Sequence, residues 1–409
     1  MTGQEIIEKL KAGSADAFPE FRRAFGWPHG KGLQRVPTGE LVDWVRALRE
    51  LADARNAAQL VGLADAVISD PDSPDRLYDL GFALIDAGTP DFAATILWRC
   101  LGLVGDSEEV VCELVSALET AMAYEDAYQI LRERPALREK SFLCQYLFAF
   151  DSAMTGRIDD VRDTVVDLHP ETPEHQIMFG TIARMLERCD RISGITKLDD
   201  YDLRGWHYLL TGGILLQRSP WGLPDPMRGR YAYLEDSKGH VASSLDRVIP
   251  LVRGMPCVYA LDGRDNEIVA HAAATLLEIP VAPWPTIGVP APGLIVAYQL
   301  DSVPRSTLQI LQTRKPDQVF YAHASNWTHD FPVAPDITTY LYQAIKSDWA
   351  DDPRTPEEIA ADIVAASRFG ADMWGDDEWK QLVDTVWPLE PGPRTRLWAG
   401  GPVPSNRFV

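Results

Sequence analysis

Through the first 190 residues, apolar side chains recur at i, i+3, i+4 and i+7. This is the spacing that puts one apolar stripe on a helix. The stripe itself repeats. Leu77, Leu80, Gly81 and Leu84, then Ala93 and Leu97, occupy slots that a shift of thirty-four fills with Val111, Leu114, Val115, Leu118, Ala127 and Leu131. A second shift gives Gln145, Phe148, Ala149, Ser152, Val161 and Val165, with Pro173 at the closing slot. Gly88-Thr89-Pro90 and Gly156-Arg157 fall at matching places and predict the turn inside each helix pair, because glycine ends a helix in a left-handed conformation at little cost.

The small residue in the eighth slot of two copies (Gly81 and Ala149) and the period resemble tetratricopeptide repeats. The departures are Leu77, Val111 and Gln145 where the family favours Trp, and Leu84, Leu118 and Ser152 where it favours Tyr. The closing Pro is missing from two copies. The resemblance implies stacked antiparallel helix pairs and a groove for a peptide or protein partner. Leu41 to Ile68 reads as a weaker, earlier pair, so the array is expected over residues 40–190. Before it, residues 1–39 are expected to form a helical cap. There Phe18, Phe21, Phe25 and Trp27 cover the open end or dock a partner, and Pro28 to Gly32 break the chain.

After Arg191 the pattern changes. Residues 191–240 are rich in aromatics, Gly and Pro, and read as a connecting segment that serves as a lid or as an interdomain wedge; Trp206 and Arg230 are its candidate ligand contacts. From residue 241 to 387, short apolar runs alternate with helical stretches, the signature of an open α/β sheet. The expected strands are Cys257–Leu261, Ile279–Pro283, Gly293–Leu300 and Gln318–Ala322. The expected helices are Ser243–Val252, Glu267–Leu277, Ser306–Thr313, Asp336–Ile345, Thr355–Ser367 and Glu378–Val386. Residues 388–409 read as an extended C-terminal arm. The expected fold class is thus α plus α/β, a helix-pair array followed by a mostly parallel sheet.

Ligands of open α/β sheets sit at the carboxyl ends of the strands, so polar residues there are the candidates. The turn Asp262, Gly263, Arg264 and Asp265 sets a guanidinium at a helix start, as an anion clamp or simply as a capped helix. Tyr298, Gln299 and Asp301 end the next strand. His323, Ser325 and Asn326 end the last, close to His329 and Asp330. Arg264, Asp301, His323 and Ser325 are the catalytic candidates. No G-x-S-x-G elbow precedes Ser325, and no H-E-x-x-H is present.

The element order from Arg247 to Ala324 resembles type I phosphoribosyltransferases, on the stretch Asp265–Pro280 and the strand Leu294–Ala297. The resemblance implies a carboxylate pair where Tyr298 and Gln299 stand, and a phosphate cradle over Asp301–Arg305. That cradle lacks glycines and contains Pro304, which has no N–H to give. It therefore implies a repurposed scaffold without the family's Mg²⁺–phosphoribosyl pyrophosphate chemistry.

A net charge of −21, from 60 acidic and 39 basic residues, argues against a nucleic-acid partner. No apolar run approaches the roughly 20 residues of a membrane helix, and no secretory leader is seen. Five scattered cysteines without C-x-x-C read as reduced thiols, so a cytoplasmic location is expected, with no metal and no cofactor. The leading functional expectation is a peptide- or protein-binding adaptor. The alternative is a transferase or hydrolase acting on a small molecule at the strand ends.

Overall fold

The computed structural model describes residues 2–27, 38–220, 227–284, 291–315, 317–368, 378–390 and 395–405. The chain divides into two compact units, Met1–Ile182 and Ala183–Val409. The break expected at Pro28–Gly32 lies outside the described residues.

The first unit is helical. It contains α1 (Gly3–Lys11), α2 (Ala17–Phe25), α3 (Thr38–Ala54), α4 (Ala58–Ser69), α5 (Pro74–Asp86), α6 (Pro90–Val104), α7 (Glu108–Thr120), α8 (Tyr124–Arg132), the single turn α9 (Pro135–Arg138), α10 (Phe142–Met154), α11 (Ile158–Val166) and the start of α12 (Pro173–Arg191). The period is physical. First helices begin at residues 74, 108 and 142, and second helices at 90, 124 and 158. Short turns fold each second helix back on its first, and first helices also touch along the array, α5 on α7 and α7 on α10.

The turns share one geometry. Asn56, Gly88, Met122 and Gly156 are left-handed, with φ of 56, 72, 59 and 81°. The next N–H closes each turn: Ala57 onto Ala52 O, Thr89 onto Leu84 O, Ala123 onto Leu118 O and Arg157 onto Ser152 O, at 2.9, 2.9, 2.8 and 2.7 Å. This is the helix-ending bond of a Schellman motif. At Gly81 a Cβ would lie 2.6 Å from Leu97 Cγ, so glycine sets the approach of α5 and α6. Phe21 and Phe25 are buried against Phe92 of α6, with ring centroids 4.7 and 5.7 Å away. Cys112 and Cys144, 32 residues apart, meet unbridged with sulfurs 3.6 Å apart.

The second unit contains α13 (Leu203–Thr211), β1 (Ile214–Leu215), β2 (Tyr231–Asp236), α14 (Lys238–Val252), β3 (Val258–Ala260), α15 (Arg264–Leu277), β4 (Val281–Pro283), β5 (Gly293–Gln299), a 3₁₀ turn (Leu300–Ser302), α16 (Arg305–Leu311), β6 (Gln318–Asn326), β7 (Ile337–Ser347), α17 (Pro356–Ala365) and α18 (Glu378–Val386). The strands form one sheet in the order β1-β7-β6-β5-β3-β4, with β2 beyond β1 on the same edge of β7. Every strand pairing in it is parallel. Leu294, Val296 and Tyr298 of β5 pack with α14, α15 and α17, while Ile295 and Ala297 pack with Leu308 and Leu311 of α16. Both faces of the sheet are thereby covered, as a parallel sheet requires.

Three expectations are corrected here. Residues 336–345, expected as a helix, form most of β7. Ile337, Thr338, Thr339, Tyr340 and Tyr342 are β-branched or aromatic and all buried, which suits a strand between two others. Residues 191–240, expected as a connection or lid, supply α13 and two strands of the sheet. In the expected C-terminal arm, Leu397, Ala399 and Val403 are buried, and Leu397 exchanges backbone hydrogen bonds of 3.0 and 3.1 Å with Phe331. Residues 391–394 and 406–409 of that arm lie outside the described residues, as does the Trp221–Gly222 stretch of the aromatic segment.

Candidate functional site

Because the strands are parallel, the turns after β3, β5 and β6 reach one edge of the sheet. From β3 the chain crosses by α15 to β4 on one side. From β5 it crosses by α16, on the opposite face, to β6 on the other side. The crevice between β3 and β5 is therefore the topological switch point, where ligands of such sheets collect.

In this chain the crevice is filled by its own side chain. Asn266, 1% exposed, gives its amide to Asp262 O at 2.7 Å, and its Oδ1 accepts the Tyr298 N–H at 2.7 Å. Gly263 (φ 119°) makes the turn that sets Asn266 there. Arg264 is also occupied: its guanidinium donates to the carbonyls of Trp349, Asp352 and Arg354. Asp265 Oδ1 accepts the Trp349 indole N–H at 2.9 Å. This turn is built as a brace for the 349–354 loop.

The next turn holds the more open chemistry. Asp301 Oδ1 accepts from His329 Nδ1 at 3.0 Å, and Asp301 Oδ2 accepts from the Tyr342 hydroxyl. Gln299 Oε1 lies 3.3 Å from that hydroxyl. The His329 side chain is 61% exposed, so its second nitrogen faces solvent. Burial first, then the bond to Asp301, pushes the Tyr342 phenol well up, which keeps it a donor.

His323 and Ser325 lie elsewhere, inside the sheet. Both are fully buried. His323 Nε2 donates to Asp236 Oδ2 at 3.0 Å, its Nδ1 lies 3.2 Å from the Tyr321 hydroxyl, and the Tyr298 ring stacks on it with centroids 5.6 Å apart. Burial opposes the charge of Asp236, but the His323 and His240 interactions win and hold its carboxyl at about 2. Ser325 Oγ meets Thr338 Oγ1 at 3.1 Å, and Asn326 Oδ1 accepts from the Thr328 N–H at 2.9 Å. These groups contact one another in the core and do not join Asp301 at the surface.

Trp206 and Arg230, both buried, do come together. They line a small cavity with His207, Trp327 and Trp398. The Arg230 Nη2 donates to Val403 O at 3.0 Å, and its Cζ lies 5.5 Å from the Trp327 ring centroid.

The helical unit has a groove of about 420 Å³ between α8, α9, α10 and α11. One wall is a stack: the Tyr128 and Phe148 rings lie 5.3 Å apart, and the Arg138 guanidinium covers Phe148 at 3.9 Å. The other wall is α11 and the residue that caps it, with Asp160, Asp163 and Asp167 spaced at i, i+3 and i+7. Asp160 accepts from the Tyr128 hydroxyl at 2.8 Å.

Sequence reasoning missed Asp236, His207, Tyr342 and Asn266. The last of these stood within the Asp262–Glu267 stretch singled out between strand and helix, but was given no role there. Comparison with known proteins adds no relative: no family model, no curated protein and no solved structure matches this chain.

Proposed function

We propose that the protein is a peptide- or protein-binding adaptor whose helix-pair array, of tetratricopeptide kind, receives an extended partner segment in the groove between α8 and α11. The carrying observation is the two-walled chemistry of that groove. The aspartate row on α11 suits basic side chains of the segment. The guanidinium of Arg138, held over the Phe148 ring, offers N–H donors to backbone carbonyls. The α/β unit is on this reading a repurposed scaffold, since Asn266 and the carbonyl-bound Arg264 occupy the places an anionic substrate needs.

Selection of random peptides on the full chain tests this reading. Enriched peptides are expected to be basic, and an Asp163→Lys, Asp167→Lys double variant is expected to bind them at least about tenfold more weakly. Peptides that bind the double variant as well as the parent, or a failure to enrich any, count against the groove.

The Asp301–His329 pair favours the alternative, a hydrolase or transferase at the strand ends. A carboxylate that fixes the imidazole through Nδ1 leaves Nε2 to take a proton from water or an alcohol. Hydrolysis of p-nitrophenyl esters is the measurement. If this reading holds, the rate falls about tenfold or more in His329→Gln; an unchanged rate rejects it.

A further inference from the structure

Cys112 and Cys144 are far apart in the chain and side by side in space. They stand 32 residues apart, on α7 and α10, first helices of successive pairs. Stacking of the pairs brings their sulfurs to 3.6 Å, and either thiol can be the donor to the other. Both are free. A disulfide bond is about 2.0 Å long, so a further approach of roughly 1.6 Å turns this contact into a covalent bridge.

The pair differs from other thiols of the chain. Cys100 is buried alone, and burial pushes its thiol up to about 11. Burial also pushes the Cys257 thiol up. At Cys144 the hydrogen bond from Cys112 outweighs burial and the nearby Glu108 charge, and holds the thiol below its ordinary range. Cys144 is also the third residue of α10, where the positive end of a helix favours a thiolate. Access is unequal: Cys112 is half-buried and Cys144 is buried. Among the described residues no third metal-ligating side chain joins the two sulfurs, and a structural zinc takes four ligands.

We propose that Cys112 and Cys144 form an oxidation site, at which a peroxide converts the two thiols into a disulfide between α7 and α10. The shared proton lets the half-buried Cys112 meet the peroxide as thiolate while Cys144 keeps the proton. The Cys112 sulfur attacks one peroxide oxygen, the O–O bond breaks, and hydroxide leaves. That hydroxide takes the Cys144 proton and becomes water. The Cys144 thiolate then attacks the sulfenic sulfur of Cys112; the S–S bond forms as the S–O bond breaks. The second hydroxide recovers the proton first lost to solvent and becomes a second water. Two thiols are oxidised and one peroxide is reduced. The bridge encloses α8 and α9, which carry Tyr128 and Arg138 of the groove wall. The inference rests on the thiols alone and stands whether or not the groove takes a peptide.

The test is exposure of the folded full chain to hydrogen peroxide, followed by alkylation of free thiols, digestion and mass spectrometry. Of the five cysteines, 112 and 144 are expected to be lost together as one linked peptide pair, at least about tenfold faster than the other three, and to return on reduction with dithiothreitol. Cys144→Ala is expected to stop the reaction at a sulfenic acid on Cys112, trapped by dimedone, whereas Cys112→Ala is expected to give no trapped adduct at Cys144. If either variant does not fold, the linked pair in the parent chain still decides. Both thiols remaining free when the other cysteines have reacted, oxidation to sulfinic acid without a link, or a bridge to Cys100, Cys189 or Cys257 overturns the proposal.

Discussion

Met122 stands in a left-handed turn position that Gly88 and Gly156 fill in the neighbouring helix pairs. A side chain with a Cβ is strained there, whereas glycine is not. Met122→Gly is therefore expected to raise stability by about 0.5–1 kcal/mol in urea unfolding, and Gly88→Ala to lower it by a similar amount. His207 makes a second residue-scale prediction. Its folded-state pKa, about 4, lies below the ordinary 6.5. The unfolded chain therefore takes up the proton first, and stability present above pH 6.5 is lost as pH falls from 6.5 through 4. The loss approaches roughly 3 kcal/mol. His207→Gln is expected to flatten the stability–pH curve in that window, and an unchanged slope rejects this role for the residue. Neither residue was legible in sequence as special. A methionine in a turn and a histidine on an apolar helix carry no local mark; the backbone angle and the distant Arg230 give them their character.

At the scale of elements, the array was legible because close helix packing demands small residues at one slot and apolar residues at the others, and such demands recur. Ala149 is fully buried at that slot in α10. Ala149→Leu is expected to overpack its neighbours and cost about 1–3 kcal/mol, read from thermal or urea unfolding. An unchanged midpoint contradicts tight stacking. The strands β3, β5 and β6 were legible from apolar runs between turns. β7 was not, because its Tyr340 and Tyr342 alternate with residues that fit a helical stripe as well as a strand. β1 and β2 were hidden for another reason. Two strands of 2 and 6 residues at a sheet edge bury too little for a pattern to form, and their pairing with β7 is more than a hundred residues away in the chain.

At the scale of the whole molecule, the sheet edge was legible and its occupancy was not. Parallel strands had to bring the turns at 262–265 and 298–302 to one side, and they do, whereas residues 323–326, expected as a third turn there, are the buried end of β6. Side chains decide what is open there. The resemblance to phosphoribosyltransferases expected from the sequence, which no comparison with known proteins supports, would put a metal-binding carboxylate pair at Tyr298 and Gln299. Tyr298 is 2% exposed, its N–H is taken by Asn266, and burial with the nearby Asp236 charge raises its phenol far above neutrality. A neutral phenol and an amide are poor partners for a hard cation, which wants anionic oxygens. In the following loop, Pro304 supplies no N–H, and Asp301 is already bonded to His329 and Tyr342. The chain's net charge of −21 adds a long-range repulsion against a polyanion. Calorimetry of the full chain with phosphoribosyl pyrophosphate is therefore expected to show no saturable heat that depends on Mg²⁺. Micromolar binding lost on chelation of Mg²⁺ would require Asp262, Asp265 or Asp301 to leave its present position and hold the metal. A working transferase would then have to replace the scaffold role given to this unit.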